Sequence, residues 1–209
     1  VKLADADRSV NNNPLTVNGT ITRTPVASGA DLVAYSGFSA ANYLEQPHNS
    51  DLDFGTGDFC VMGWCHVASS GGGVMVGRYE AASTAPDWDV RMRSDGTMSL
   101  KIDSLDTVSG SVDRRTAEWV HIAVVRQSGT LYLYENGSMV DSVANSTDLT
   151  NPAALLGVGL RNISPPDLNW DGSLALLRIS ATAPTAEQIA KIYNDEKVLF
   201  QENAQATLY

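Results

Sequence analysis

Asp87-Trp88-Asp89 is the stretch of this sequence best suited to chemistry. The two aspartates lie either side of one residue, so on a strand they share a face. Two carboxylates about 5 Å apart can flank a glycosidic bond, one as nucleophile and one as acid. That spacing is also common by chance. The indole offers a second chemistry: an exposed ring face stacks on sugar C–H groups while neighbouring acids accept hydroxyl protons. Trp88 can equally pack against the inner face of a sheet. The loop from Glu80 to Asp87 precedes it, and the loop Arg161–Asn169, which opens with Arg161 and Asn162, is the other candidate contact segment.

Other catalytic signals are missing. Serine is abundant, but no Gly-x-Ser-x-Gly elbow occurs, so a hydrolase triad has no support. His48, His66 and His121 are scattered, and the last two sit on candidate core strands, which suits a histidine hydrogen-bonded within or beside the core. No phosphate-binding glycine loop is present, and Gly71-Gly72-Gly73 reads as a hairpin turn. Cys60 and Cys65 would lie about 16 Å apart on opposite faces of one strand, too far for a disulfide. Two thiols without a histidine cluster do not make a zinc site.

The elements that must position these residues are short strands. The chain has 209 residues, enough to bury a core without a disulfide or metal. Its 43% hydrophobic and 18% charged composition, with 17 glycines, suits strands and turns. A net charge of −10, from 14 basic and 24 acidic residues, disfavours nucleic acid and anionic membranes as partners. No apolar run has the length of a membrane span and no signal peptide is visible. The chain starts at Val1 and ends without a stop pattern, and so reads as a piece of a longer polypeptide. It reads as one domain over residues 1–198, followed by a tail, 199–209, that leads towards a linker.

The clearest element is the hairpin Trp119–Gly137. Val120, Ile122 and Val124 point to one face, Trp119, His121, Ala123 and Val125 to the other. Gln127-Ser128-Gly129-Thr130 supplies a turn, Leu131 and Leu133 alternate with Tyr132 and Tyr134, and Asn136-Gly137 predicts a type I′ turn into a further strand, Ser138–Val143. Phe59–Ala68 has two partly apolar faces, as a strand inside a sandwich does. Further strands are expected at Leu15–Val17, turning at Asn18-Gly19 into Thr20–Thr22, then at Asp31–Tyr35, Asn42–Glu45, Val74–Tyr79, Trp88–Arg93, Met98–Ile102, Leu105–Val108, Ala154–Val158 and Ser173–Ile179. One helix follows, capped by the box Thr185-Ala186-Glu187-Gln188 and carrying Ile189, Ile192 and Tyr193 on its apolar stripe. Short strands with turns every 8 to 12 residues predict an all-β antiparallel sandwich or jelly roll.

Taken together, Leu52-Asp53-Phe54-Gly55-Thr56-Gly57-Asp58-Phe59, Val61 and Trp64, Trp119–Val124, Leu131–Gly137, Trp170–Ile179 and Gln188–Tyr193 resemble the laminin-G-like jelly roll of the concanavalin A-like lectin/glucanase superfamily. The resemblance implies two curved antiparallel sheets with one short C-terminal helix, and packing roles for Trp64, Trp119, Trp170 and His121. Superfamily glucanases use Glu-x-Asp-x-x-Glu on one strand, and no glutamate here starts that motif. Some laminin-G-like domains hold one calcium ion. Asp87, Asp89 and Asp171 are the expected ligands, with Asp95 and Asp167 also near loops.

The polar entry, the missing start and the tail also suggest a virion protein, such as a phage tail fibre. The expectation is therefore a non-catalytic module, in a virion or outside the cell, that presents Trp88, Asp87, Asp89, Arg161 and Asn162 to a cell-surface glycan or protein receptor. The alternative is a structural spacer, decoration or trimerisation domain set among neighbouring virion domains. A glycosidase is the third reading, weakened by the missing carboxylate motif.

Overall fold

A computed structural model describes residues 11–67, 70–80, 85–103 and 105–205. Fourteen strands and one helix follow in chain order. The strands are β1 (Thr16–Asn18), β2 (Thr22–Pro25), β3 (Val33–Ser36), β4 (Tyr43–Gln46), β5 (Phe59–His66), β6 (Gly73–Tyr79) and β7 (Trp88–Met92). They continue with β8 (Met98–Ile102), β9 (Leu105–Ser109), β10 (Trp119–Gln127), β11 (Thr130–Glu135), β12 (Ser138–Ala144), β13 (Leu155–Val158) and β14 (Ser173–Ser180). Helix α1 spans Ala186–Glu196.

The strands form two seven-stranded antiparallel sheets, ordered β1-β4-β13-β6-β7-β8-β9 and β12-β11-β10-β5-β14-β3-β2. This is the expected all-β sandwich. Alternation along each strand sets its inner face: Phe59, Val61 and Cys65 on β5, Val120, Ile122 and Val124 on β10, and Leu131 and Leu133 on β11 meet Val90, Met92, Met98 and Leu100 of the opposing sheet in one core. The β10–β11 turn places Ser128 and Gly129 at φ 50° and 77°, and the β11–β12 turn places Asn136 and Gly137 at 50° and 78°. Both central residues are left-handed in each, as type I′ requires. The turn at Gly19 behaves differently. It passes the chain from one sheet to the other, since β1 pairs with β4 and β2 with β3. The second strand accordingly starts at Thr22 rather than Thr20.

Two buried arginines tie loops to the core. Arg126 donates to the carbonyls of Gly57, Thr147 and Gly55 at 2.7, 2.7 and 2.5 Å and lies over the Phe59 ring. Arg78 donates to the Leu52 and Asn151 carbonyls and to Asp53. These carbonyls lie outside the strands, in the segments around 52–57 and 147–151, so the guanidiniums supply donors to loop backbone; the Gly55 carbonyl also accepts from the Leu149 amide at 2.9 Å.

The outer face of the second sheet is covered by α1, whose capping box is formed as expected. Ile189 packs on Cys60, Met62, Ala123 and Tyr134. Tyr193 and Phe200 stack on Trp64, and Trp119 packs on Phe200, so Trp64 and Trp119 belong to this layer rather than the main core. Beyond Phe200, Asn203 and Ala204 bond to Ser28 and Asp31 of the same body. Cys60 and Cys65 are free and buried, and burial pushes both thiols up to about 12.

His121 lies in this layer, fully buried, edge-on to Trp64 with ring centroids 5.2 Å apart. Neither ring nitrogen has a hydrogen-bond partner, which corrects the expectation of a hydrogen-bonded histidine here: the ring is packed against the aromatic rings of Trp64 and Tyr193. Burial holds the imidazole down at about 4, while nearby Glu196 pulls it up and Arg178 pushes it down. The unfolded chain takes this proton near pH 6.5, so the stability that neutral His121 contributes is complete above that pH and lost as pH falls towards 4. Melting temperature is therefore expected to drop across this window, by the equivalent of about 3 kcal/mol. His121→Leu should flatten that part of the pH profile, and an unchanged slope would refute the assignment.

Candidate functional site

Strand β7 supplies residues to both sides of the first sheet. Trp88, Val90 and Met92 face the core, and Asp89 and Arg91 face outwards. Trp88 is 1% exposed and stacks with Phe59 at 6.5 Å between centroids, with Phe54 beside them. It takes the inner-face alternative, and the expectation of an exposed sugar platform at this residue is corrected. The aromatic and aliphatic side chains of the opposing sheet leave its ring no solvent-facing side.

Asp89 is also withdrawn from solvent. Its carboxylate accepts from the Tyr79 hydroxyl and from two nitrogens of Arg91. Burial pushes its carboxyl above the usual carboxylate range, and the Arg91 guanidinium opposes that shift. Gly77 lies opposite Asp89, where an added Cβ would sit 2.6 Å from the Asp89 Cβ, so only glycine lets the carboxylate nestle against the sheet.

A hairpin after β13 roofs this face. It closes on itself where Arg161 and Asp167 bridge, and it is pinned to β6 by the Val74 amide donating to the Leu168 carbonyl at 2.8 Å. Arg161 pairs with Asp167 and lies 5.6 Å above the Tyr79 ring. Asn162 lies flat against Gly157 and donates to Glu45 at 2.8 Å. Two of the expected site residues, Asp89 and Arg161, thus meet at Tyr79, and Asn162 lies against Gly157 and Glu45. Each is taken up by a neighbour within the protein: Asp89 by Arg91, Arg161 by Asp167 and Asn162 by Glu45.

Asp87 sits at the end of the same strand face. Its carboxylate accepts from the Glu80 amide at 3.0 Å and from Asn151 at 3.2 Å. Burial pushes it up to about 6, against the Glu80 hydrogen bond and with help from Asp103. Residues 81–84 of the preceding loop lie outside the described residues. Asp171 is elsewhere: its amide donates to the Gly72 carbonyl, at the end of β6 and β7 opposite to Asp87. Calcium needs six to eight oxygens around one point. The three aspartates expected to supply them do not converge, and Asp89 has its oxygens taken by Arg91 and Tyr79. Among the described residues no three His, Cys, Asp or Glu side chains form a group that could hold a metal. These residues do not fit a calcium site.

Beside the roof a cleft of about 760 Å³ opens. Arg91, Arg93, Arg115, Asp106, Asn169 and Asp171 line it, with Gly71–Gly73 as a backbone wall. Arg115 is fixed by Asp113 at 2.7 and 2.9 Å and by the Ser94 carbonyl at 3.1 Å. Asp106 accepts from Ser99 at 3.1 Å. The cleft therefore presents oriented donors next to oriented acceptors, the arrangement that a vicinal diol, itself donor and acceptor, can satisfy. Neither Arg91, Arg93, Arg115 nor Asp106 was among the residues singled out from sequence. The signal for the first two was present in Asp89-x-Arg91-x-Arg93, three charges at strand spacing on one face.

Residues 38–190 match the family model of the concanavalin A-like lectin/glucanases superfamily, of laminin-G type. No curated protein matches the sequence. Solved structures resemble the fold. The binding domain of Paraclostridial Mosquitocidal Protein 1 superposes with a TM-score of 0.71 at 18% identity, over 93% of this chain and 50% of that one. Domain 4 of AbnA, an extracellular GH43 arabinanase from Geobacillus stearothermophilus solved with arabinotriose, gives 0.70 at 20% identity, over 90% and 92%. The binding domain of Botulinum neurotoxin DC, solved with rat synaptotagmin II, gives 0.67 at 14%, over 91% and 48%. The chain thus spans about half of each toxin binding domain and nearly all of the arabinanase domain.

Proposed function

This chain belongs to the concanavalin A-like lectin/glucanases superfamily, and from that premise we propose that it is a non-catalytic carbohydrate-binding domain of a larger extracellular protein, with a domain body of residues 1–198 onto which Phe200, Asn203 and Ala204 also pack. The observation that carries this reading is the cleft beside the roof hairpin, where Arg91 and Arg115 are held by Asp89 and Asp113 next to Asp106, Asn169 and Asp171. Side chains fixed before binding lose little freedom when a sugar arrives, so even a shallow polar cleft can hold one. The likeness to an arabinanase domain solved with arabinotriose supports the same reading. The carboxylate pair considered from sequence does not serve a catalytic role: Asp89 is sealed under Arg91, and Asp87 alone does not make the opposed pair that hydrolysis needs. A virion setting draws no support from these relatives.

A glycan array with the whole chain tests the proposal. Binding to at least one oligosaccharide is expected. Gly72 lines the cleft, and an added Cβ there meets nothing nearer than 3.7 Å, so Gly72→Leu should obstruct the cleft without unfolding the protein. Binding should fall about tenfold or more in that variant. An array with no positive, or binding that Gly72→Leu leaves intact, would overturn the assignment.

A second reading, a spacer or trimerisation domain, rests on edge strand β12, which exposes Met139, Val140 and Val143. Sedimentation decides it: a trimer that Val140→Lys dissociates would favour it over a monomeric binding module.

A further inference from the structure

Resting on the carbohydrate-binding reading, we propose that the cleft selects glycans bearing a sugar carboxylate and that Arg93 is the residue that reads it. The chain as a whole is strongly acidic, with a net charge of −10. The cleft departs from that balance: three guanidiniums line it, from Arg91, Arg93 and Arg115, against the two carboxylates of Asp106 and Asp171. The three arginines are not equivalent. Arg91 is spent on Asp89 and the Tyr79 hydroxyl, the latter at 2.9 Å. Arg115 is spent on Asp113 and the Ser94 carbonyl. Asp89 lies wholly beneath Arg91, and Asp113 stands at the rim with half its side chain in solvent, so both anchors hold their arginines from outside the cleft.

Arg93 alone among the three makes only loose pairs. Its Nε is 3.4 Å from Asp106 and its terminal nitrogen 3.6 Å from Asp95, with about a third of the side chain exposed. A charge-assisted hydrogen bond is 2.7–2.9 Å long. A planar carboxylate from a ligand can therefore complete the bidentate pair that Arg93 lacks, in place of its loose contacts with Asp106 and Asp95. The ring hydroxyls that flank such a carboxylate find Asp106, Asn169 and the glycine backbone. The chemistry is shared by uronic acids and by the nine-carbon sugar acids, and the two differ in whether the carboxylate sits on the ring's own exocyclic carbon or on its anomeric one.

Isothermal titration with the whole chain at low salt separates the possibilities. The probes are a short oligogalacturonate, its methyl ester, a neutral arabino-oligosaccharide, and sialyllactose beside lactose. The free acid is expected to bind at least about tenfold more tightly than its methyl ester, which differs only in masking the charge. Arg93→Gln should bring the two within about twofold while leaving the melting temperature unchanged. Preference for sialyllactose over lactose, without one for the galacturonate, supports the carboxylate and assigns it to the nine-carbon class. Equal affinity for acid and ester with no sialyllactose preference overturns the inference and leaves the carbohydrate reading standing. Selectivity that survives Arg93→Gln removes Arg93 from the role. Failure of every probe to bind counts against both.

Discussion

Trp88→Ala is expected to lower the free energy of unfolding by about 3–5 kcal/mol, the usual cost of truncating a large aromatic in a packed interior. The ring is 1% exposed and fills space between Phe54, Phe59 and the rest of the main core. Its indole nitrogen has no hydrogen-bond partner, so the truncation breaks no hydrogen bond and its cost is one of packing. Trp88→Phe should cost less, because most of the aromatic volume remains. Denaturant midpoints for the two variants measure this directly. Glycan affinity supplies the contrasting readout. A sugar platform would lose affinity with little loss of stability, whereas a core residue loses stability while the folded fraction binds as before. A large drop in affinity with an unchanged midpoint would put the indole back in the binding site.

Trp88 also shows where sequence reasoning stops. Local rules placed the strands well. Alternation sorted the residues of β5, β10 and β11 onto two faces, one of which packs in the main core, and Asn136-Gly137 named a turn whose backbone demands are met inside four residues. These signals are local because the side-chain period and the turn geometry are local. Whether the indole beside Asp89 faces core or solvent depends on what the opposing sheet and the loop leading into it present, here Phe59 and Phe54, and no spacing near Trp88 records that. Arg126 reads as an ordinary charged residue at a strand end. Its burial depends on carbonyls at Gly55, Gly57 and Thr147 that only the fold assembles. The candidate site was half legible for the same reason. Arg161 and Asn162 were found as loop residues, and Arg93, just past the end of β7 and lining the cleft, was passed over.

Asp89→Ala is the second large expectation, and it links the fold to the cleft. The substitution should cost about 3–5 kcal/mol, since it leaves the half-buried Arg91 guanidinium and the Tyr79 hydroxyl without the acceptor they share. Most of that is the cost of stranding Arg91, rather than the net value of the pair. The double variant Asp89→Leu, Arg91→Met removes both charges together and should recover a large part of the loss, and a double-mutant cycle gives the coupling. If each single substitution and the double cost the same few tenths of a kilocalorie, the ion pair carries no structural weight. The cycle has a functional arm as well. Arg91 lines the cleft only because Asp89 holds it upright against the sheet, and Gly77 leaves the room for that carboxylate. Asp89→Ala should therefore weaken binding in the cleft even though Asp89 has no access to a ligand, and Gly77→Ala, which forces the carboxylate out of its seat, should weaken it in the same direction. Binding that both variants leave intact would mean that Arg91 finds its place without either of them.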